Sequence, residues 1–152
     1  MARKAKVPGW EHYFPFPRGR SFEVVLERPR LPVRGRGTVV KRTAAALRLK
    51  LEVQGGFLIP RMSADVELTY SGEGGGNRGR LEVQVGTRRE SFEDEDVTIQ
   101  SQPAKGCREI ASSLKQAGRG ARAVLCAGEG QCHVSARGFE IRLVAQAAPR
   151  GR

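Results

Sequence analysis

A cysteine and a histidine that are adjacent in the chain, Cys132 and His133, carry the most distinctive chemistry in this sequence. A thiol beside an imidazole is the pair used by cysteine nucleophiles, and with Cys107 and Cys126 the number of possible zinc ligands reaches four. Neighbouring residues on a strand point to opposite faces, however, and there is no C-x-x-C spacing. We therefore predict a protein that is not an enzyme, with no catalytic residue, no metal site and no cofactor.

Two further stretches match the sequence pattern of a functional site, but the residues around them do not fit such a site. Residues 74–79 satisfy G-x-G-x-x-G, but a strand pattern follows them where a dinucleotide site needs a helix. Residues 90–96 include four consecutive carboxylates, which repel one another and favour an exposed loop. We predict loops at both places.

The basic residues are concentrated near the start of the chain. Residues 1–50 contain 13 Lys and Arg against 3 acids, whereas the whole chain has a formal net charge of +11. Arginine forms bidentate contacts with phosphate, and aromatic rings stack on unpaired bases. We therefore predict a nucleic-acid-binding protein, with RNA, including double-stranded RNA, preferred over DNA. The predicted binding residues are Trp10, Tyr13, Arg18, Arg20, Arg28, Arg30, Arg34, Arg36, Lys41, Arg42, Lys105 and Arg108.

Alternation of apolar and polar residues dominates the middle of the chain. It is clearest over 47–53, 66–70, 81–85 and 139–145, and it is typical of antiparallel strands with one face in a core. Only residues 105–117 show helical spacing, with Cys107, Ile110, Ala111 and Leu114 on one face. The sequence predicts a mainly β fold, an antiparallel sheet or small β-barrel of about eight short strands with one helix near 105–117.

Prolines and charges divide the chain into three parts. Five of the eight prolines precede residue 33, and proline disfavours helix, so residues 1–20 are predicted to be an extended basic and aromatic arm. Residues 21–146 are predicted to form one β-rich domain, and residues 147–152 are predicted to form a basic tail. With no apolar run near ~18 residues, no signal sequence and three cysteines expected to be free, we predict a cytoplasmic protein without membrane contact.

Residues 80–116 run through a strand, an acidic loop, a short strand and a helical pattern. This stretch resembles the second half of a double-stranded-RNA-binding domain, which implies that Lys105 and Arg108 contact phosphates. Trp10 and Tyr13 are similar to the aromatic pair with which viral RNA-silencing suppressors cap duplex ends.

A second resemblance follows from residues 28–33, 53–59, 64–68 and 79–85. Their order is similar to the strands of PilZ domains, small barrels that bind cyclic di-GMP, although the nucleotide-binding signature is broken here. It implies a ligand-sensing or protein-interaction module with a degenerate nucleotide site. A structural subunit that docks by its N-terminal arm is a third hypothesis, and a homo-oligomer or larger assembly is compatible with all three.

Overall fold

The structure is a computed structural model that describes residues 9–28, 34–54, 61–72, 76–102, 105–112, 121–136 and 138–146. In this part of the chain there are ten strands and one short helix. Their bounds are α1 Trp10–Tyr13, β1 Ser21–Arg28, β2 Arg34–Arg42, β3 Ala46–Gln54, β4 Met62–Thr69, β5 Asn77–Val85, β6 Arg88–Gln102, β7 Cys107–Ser112, β8 Ala121–Gly128, β9 Gln131–Ala136 and β10 Phe139–Ala145.

The strands form a closed antiparallel barrel. Each strand pairs with its neighbours in sequence, and β1 also pairs with β10, which closes the ring. The predicted β-rich barrel with one helix is confirmed, with ten strands in place of about eight. Closure gives each of these ten strands a paired neighbour on both sides, although in β6 the described pairs with β7 involve only residues 98–102, and residues 88–97 pair with β5.

Register places the alternating residues as the sequence predicts. Leu47, Leu49 and Leu51 on β3 lie opposite Leu68, Val66 and Ala64 on β4. Directly opposed residues share a face of the sheet, and Leu47 and Leu49 are buried, so this face is the inside of the barrel. Arg48 and Lys50 alternate with them and lie on the outer wall.

The helix is not where the sequence places it. Residues Cys107–Ser112 form β7, which pairs with β6 and β8, and residues 113–117 lie outside the described part. The spacing of Cys107, Ile110 and Ala111 fits one helical face, but strand pairing on both sides overrides this local pattern. The helix of the structure is α1, inside the segment predicted to be extended.

The two ends of the barrel differ. At one end, here called the plugged end, residues 9–20 fold inward instead of forming a separate arm. Trp10, Tyr13, Phe14 and Phe16 are at most 2% exposed. Phe16 stacks on Phe22 of β1, with ring centroids 5.2 Å apart. The opposite end, here called the open end, is where β1, β3, β5, β7 and β9 finish.

Candidate functional site

A buried guanidinium organises the plugged end. Arg108 of β7 is 0% exposed, and its guanidinium carbon lies 4.5 Å from the ring centroid of Trp10, 4.2 Å from that of Tyr13 and 4.3 Å from that of Tyr70. Its Nε donates to the hydroxyl of Ser101 at 3.0 Å. A desolvated cation is stabilised by aromatic faces, so this arrangement holds the plug in place. Three residues predicted to bind nucleic acid are thus inside the barrel, where they cannot reach bases or phosphates.

Two other predicted residues fasten the plugged end. The Nη1 of Arg42 donates to the carbonyl of Phe14 at 2.9 Å, and the Nη2 of Arg20 donates to the carbonyl of Gln146 at 2.7 Å. Hydrogen bonds from a charged donor are stronger than neutral ones. Both arginines therefore have a structural role that the sequence did not indicate.

The remaining predicted residues are spread over the surface. Arg18, Arg28, Arg36, Lys41 and Lys105 are exposed. Arg30 lies outside the described residues, and Arg34 is described only in its backbone, as the first residue of β2. Arg36 and Lys41 lie five residues apart on the outer face of β2, and the exposed Lys50 of β3 lies opposite Thr38 between them. Arg36 itself lies directly between Glu23 of β1 and Glu52 of β3.

Most arginines of the outer wall are paired with carboxylates. Arg48 donates two hydrogen bonds to Asp65, at 3.2 and 3.0 Å, and this contact lowers the pKa of Asp65. Hydrogen bonds from Arg89 and Arg80 likewise lower the pKa of Glu82. The described residues include 18 of the chain's 27 Lys and Arg residues and 15 of its 16 Asp and Glu residues, so this part is much closer to neutral than the whole chain. The other pairs among the described residues are Arg78–Glu95, Arg80–Glu93, Arg122–Glu109, His133–Glu140 and Arg142–Glu27.

The cysteines differ from the prediction of three free thiols. Cys107 and Cys126 lie opposite each other on β7 and β8 and form a disulfide. Cys132 is free and fully buried on the lumen side of β9, and burial raises its pKa to about 12. His133 pairs with Glu140 on the outer wall, at 3.1 Å. The structure therefore separates Cys132 from His133, as expected for adjacent residues on a strand.

The inside of the barrel, its lumen, can be traced by register from residues known to be internal. Val24 packs against the core, and directly opposed residues on successive strands share its face. One such row of partners runs across β1 to β6 at the open end, and a second row lies next to it. The first is Val24, Gly35, Val53, Met62, Val85 and Arg88, and the second is Phe22, Gly37, Leu51, Ala64, Val83 and Glu90.

Apolar side chains of these rows are exposed to solvent although they face inward. Leu51, Val53, Ala64 and Val83 are half-buried, and Met62 is 37% exposed. Strands flank each of them on both sides, so solvent reaches them through the lumen. Near the plug, by contrast, Leu47, Val97 and Ile99 are at most 2% exposed. The inward side of β3 is therefore filled near the plug, whereas on β4 and β5 the inward residues Val66, Leu68 and Leu81 stay half-buried along the strands.

The opposite wall of the lumen has the same character. Ile110, Ala123, Val134 and Ile141 pack against the core yet are only half-buried. Arg88 and Glu90 are the charged residues of the two traced rows, and both are exposed at the open end. This arrangement can bind an apolar group within the barrel, and the alternation over β3 to β5 is the sequence signal that could have indicated it.

Comparison with known proteins finds no relative of this chain: no family model matches it, and neither the curated proteins nor the solved structures yield a significant match. The described residues contain no helix long and apolar enough to cross a membrane. Within the same residues, no three His, Cys, Asp or Glu side chains are grouped as a metal site would require.

Proposed function

We propose that the protein is a β-barrel binding protein that takes an apolar small molecule into the open half of its lumen. The observation that carries this proposal is the exposure of inward-facing apolar side chains, Leu51, Val53, Met62 and Val83 among them. Removing apolar surface from water is favourable by about 25 cal/mol per Å², so a ligand of matching shape gains free energy by covering these groups. A concave apolar site inside a closed barrel suits a small molecule better than a protein surface.

This proposal corresponds to the ligand-sensing alternative of the sequence analysis, with a different ligand. The PilZ resemblance implies a nucleotide, whose phosphates and base need several polar partners. The two traced rows offer mainly aliphatic side chains instead. An uncharged or largely apolar ligand therefore fits this lumen better than cyclic di-GMP.

Two adjacent residues of β4 give a matched test. Ala64 faces the lumen between Leu51 and Val83, whereas Ser63 faces the outer wall between Glu52 and Gln84. Ala64→Phe fills the lumen, and Ser63→Phe adds the same ring outside. Binding is measured with N-phenyl-1-naphthylamine, an uncharged dye whose fluorescence rises in apolar surroundings.

We expect Ala64→Phe to weaken dye binding about tenfold or more, because the added ring occupies the ligand's space. Ser63→Phe should bind like the wild type. Thermal melting of all three proteins checks that the fold is retained. Equal dye binding by the two variants, with both folded, would contradict a site in the lumen.

Nucleic-acid binding, with RNA preferred over DNA, is a second proposal, supported by a different surface. Arg36, Lys41 and Lys50 are exposed on the outer face of β2 and β3 and form no ion pair with a described residue. Lys41 lies directly opposite Arg48, but Arg48 is paired with Asp65, so the charge of Lys41 remains available to a phosphate.

Salt dependence tests the second proposal. Each neutralised phosphate contributes about −0.9 to the slope of log affinity against log salt on duplex DNA and about −0.7 on a single strand. Replacing Arg36, Lys41 and Lys50 by Ala should therefore make the slope shallower by about 2 to 3. The control replaces Arg78, Arg80 and Arg89, which are paired with carboxylates. If both triple variants change the slope equally, the β2–β3 surface is not the binding site.

A further inference from the structure

We propose that a cleft on the outer wall of the barrel binds a zwitterion, a small molecule that carries an ammonium and a carboxylate group close together, as a free α-amino acid does. The cleft is separate from the lumen, and this inference does not depend on the lumen site. It follows from four charged side chains that line the cleft and form no ion pair with a described residue.

Outward-facing residues of β1, β2 and β3 and the residue before β4 line the cleft. Glu23 of β1 lies directly opposite Arg36 of β2, and Arg36 lies directly opposite Glu52 of β3. Arg61, which precedes β4, and Gln54, the last residue of β3, also line it. The cleft has a volume of about 480 Å³, within the range of about 300–1,000 Å³ that is typical of small-molecule sites.

The charges of the cleft are not neutralised by their neighbours. Its two glutamates and two arginines are exposed, and none of them forms an ion pair or a side-chain hydrogen bond with a described residue. On the adjacent wall of β3 to β6, by contrast, Arg48, Arg80 and Arg89 each contact a carboxylate. All four charged groups of the cleft are therefore available to a ligand.

The presence of both signs of charge determines the class of ligand. An anion that approaches Arg36 also approaches Glu23 and Glu52, which repel it from strands about 4.8 Å away on either side. A cation is repelled by the two arginines in the same way. A zwitterion places its carboxylate on an arginine and its ammonium on a glutamate, so it gains both attractions.

The spacing of the charges and the amides of the cleft narrow this class. Because opposite charges alternate between adjacent strands, a compact zwitterion fits better than one whose charges are far apart. Gln54 and Gln146 add amide groups, which donate to and accept hydrogen bonds from a polar side chain of the ligand. An α-amino acid with an uncharged polar side chain has these features, so L-glutamine is a suitable probe.

Titration of isotope-labelled protein with L-glutamine, followed by the NMR shifts of backbone amides, tests this inference. Exposed ion pairs are weak, so we expect a dissociation constant of about 1 mM and the largest shifts in β1 to β3. Two derivatives each lack one charge: N-acetyl-L-glutamine has no ammonium group, and L-glutamine amide has no carboxylate. We expect each derivative to bind about fivefold more weakly than L-glutamine.

Arg36→Gln and Glu52→Gln each remove one charge of the cleft, and each should weaken L-glutamine about two- to fivefold. Arg78→Gln and Glu95→Gln are the matched controls, because both residues are exposed on the outer wall, pair with each other and lie outside the cleft. They should leave the affinity unchanged. Glu52→Gln also separates this site from a phosphate-binding surface, since loss of an acid strengthens the binding of a polyanion but weakens L-glutamine.

The inference is wrong if about 20 mM L-glutamine causes no shifts in β1 to β3, or if N-acetyl-L-glutamine binds as well as L-glutamine. It is also wrong if the control variants weaken L-glutamine as much as the cleft variants do, with all of them folded by thermal melting. None of these results bears on the lumen site, which is tested by the dye and Ala64→Phe.

Discussion

Gly37 of β2 is the residue at which the barrel leaves least room for a side chain. A Cβ atom there would lie 2.2 and 2.3 Å from two ring carbons of Phe22 and 2.8 Å from Cδ2 of Leu51. Carbon atoms in contact normally lie about 3.5–4.0 Å apart. The Phe22 ring has no space to retreat into, because it stacks on Phe16 and meets the ring of Phe14 at 5.9 Å.

We therefore expect Gly37→Ala to be destabilising despite its small size. Overpacking of a core destabilises the fold by about 1–3 kcal/mol. Replacing glycine also restricts the unfolded chain, which stabilises the fold by about 0.4–1 kcal/mol. The net expectation is a loss of about 1–2 kcal/mol, or about 2–8 °C in melting temperature for a chain of this size. Urea unfolding is followed by the fluorescence of Trp10, the single tryptophan, which is buried in the plug.

Gly72→Ala is the matched control, since a Cβ there meets nothing within 4 Å and the backbone is not left-handed. It should leave the free energy of unfolding within about 0.5 kcal/mol of the wild type. In a Phe22→Leu background the Gly37→Ala penalty should fall, because the two side chains no longer compete for one space. Wild-type stability of Gly37→Ala, or a penalty unchanged by Phe22→Leu, would refute the packing described here.

Three further predictions concern the disulfide, an ion pair and the buried thiol. Reduction of Cys107–Cys126, whose sequence separation is 19, should lower the free energy of unfolding by about 3 kcal/mol, and equal urea midpoints with and without reductant would contradict this. Because Arg48 lowers the pKa of Asp65 in the folded state, the stability from this pair is present above about pH 4 and is lost as pH falls through the folded pKa. Asp65→Asn should reduce the loss of stability at low pH, and an unchanged loss would contradict a stabilising role for the Arg48–Asp65 pair. With burial raising its pKa to about 12, Cys132 should react with iodoacetamide at pH 8 far more slowly in the folded than in the unfolded protein, and equal rates would show that the thiol is accessible.

The barrel wall could be predicted from the sequence wherever one face alternates cleanly. The alternation of Leu47, Leu49 and Leu51 marks β3 because its outer face meets water. β7 could not be recognised in this way, because its inward residues include Arg108 and its outward residues include the buried Cys107. Its register partners on β6 and β8, which are 5 to 19 residues away in sequence, determine its structure.

The candidate binding site in the lumen was harder to predict from the sequence than the strands of the barrel wall. A basic segment with Trp10 and Tyr13 has the composition of a nucleic-acid surface, and only tertiary structure shows both rings packed on Arg108. An aromatic ring is equally suited to stacking on a base or on a guanidinium in a core. The alternation over β3 to β5 indicates which residues line the lumen, but the lumen itself arises from ten strands acting together, so no local pattern shows that it is accessible.

Because β1 pairs with β10, the barrel can close only after almost all of its strands have been synthesised. Strands β2 to β9 find their partners among immediate neighbours, but one edge of β1 has no partner until β10 has been synthesised. The hydrogen bond from Arg20 to the carbonyl of Gln146 likewise cannot form until that residue, 126 positions later, has been synthesised. The nascent chain therefore presents an open strand edge and an aromatic cluster for most of its synthesis, and such surfaces are prone to aggregate. We expect chaperones that bind nascent chains to shield both until translation is almost complete.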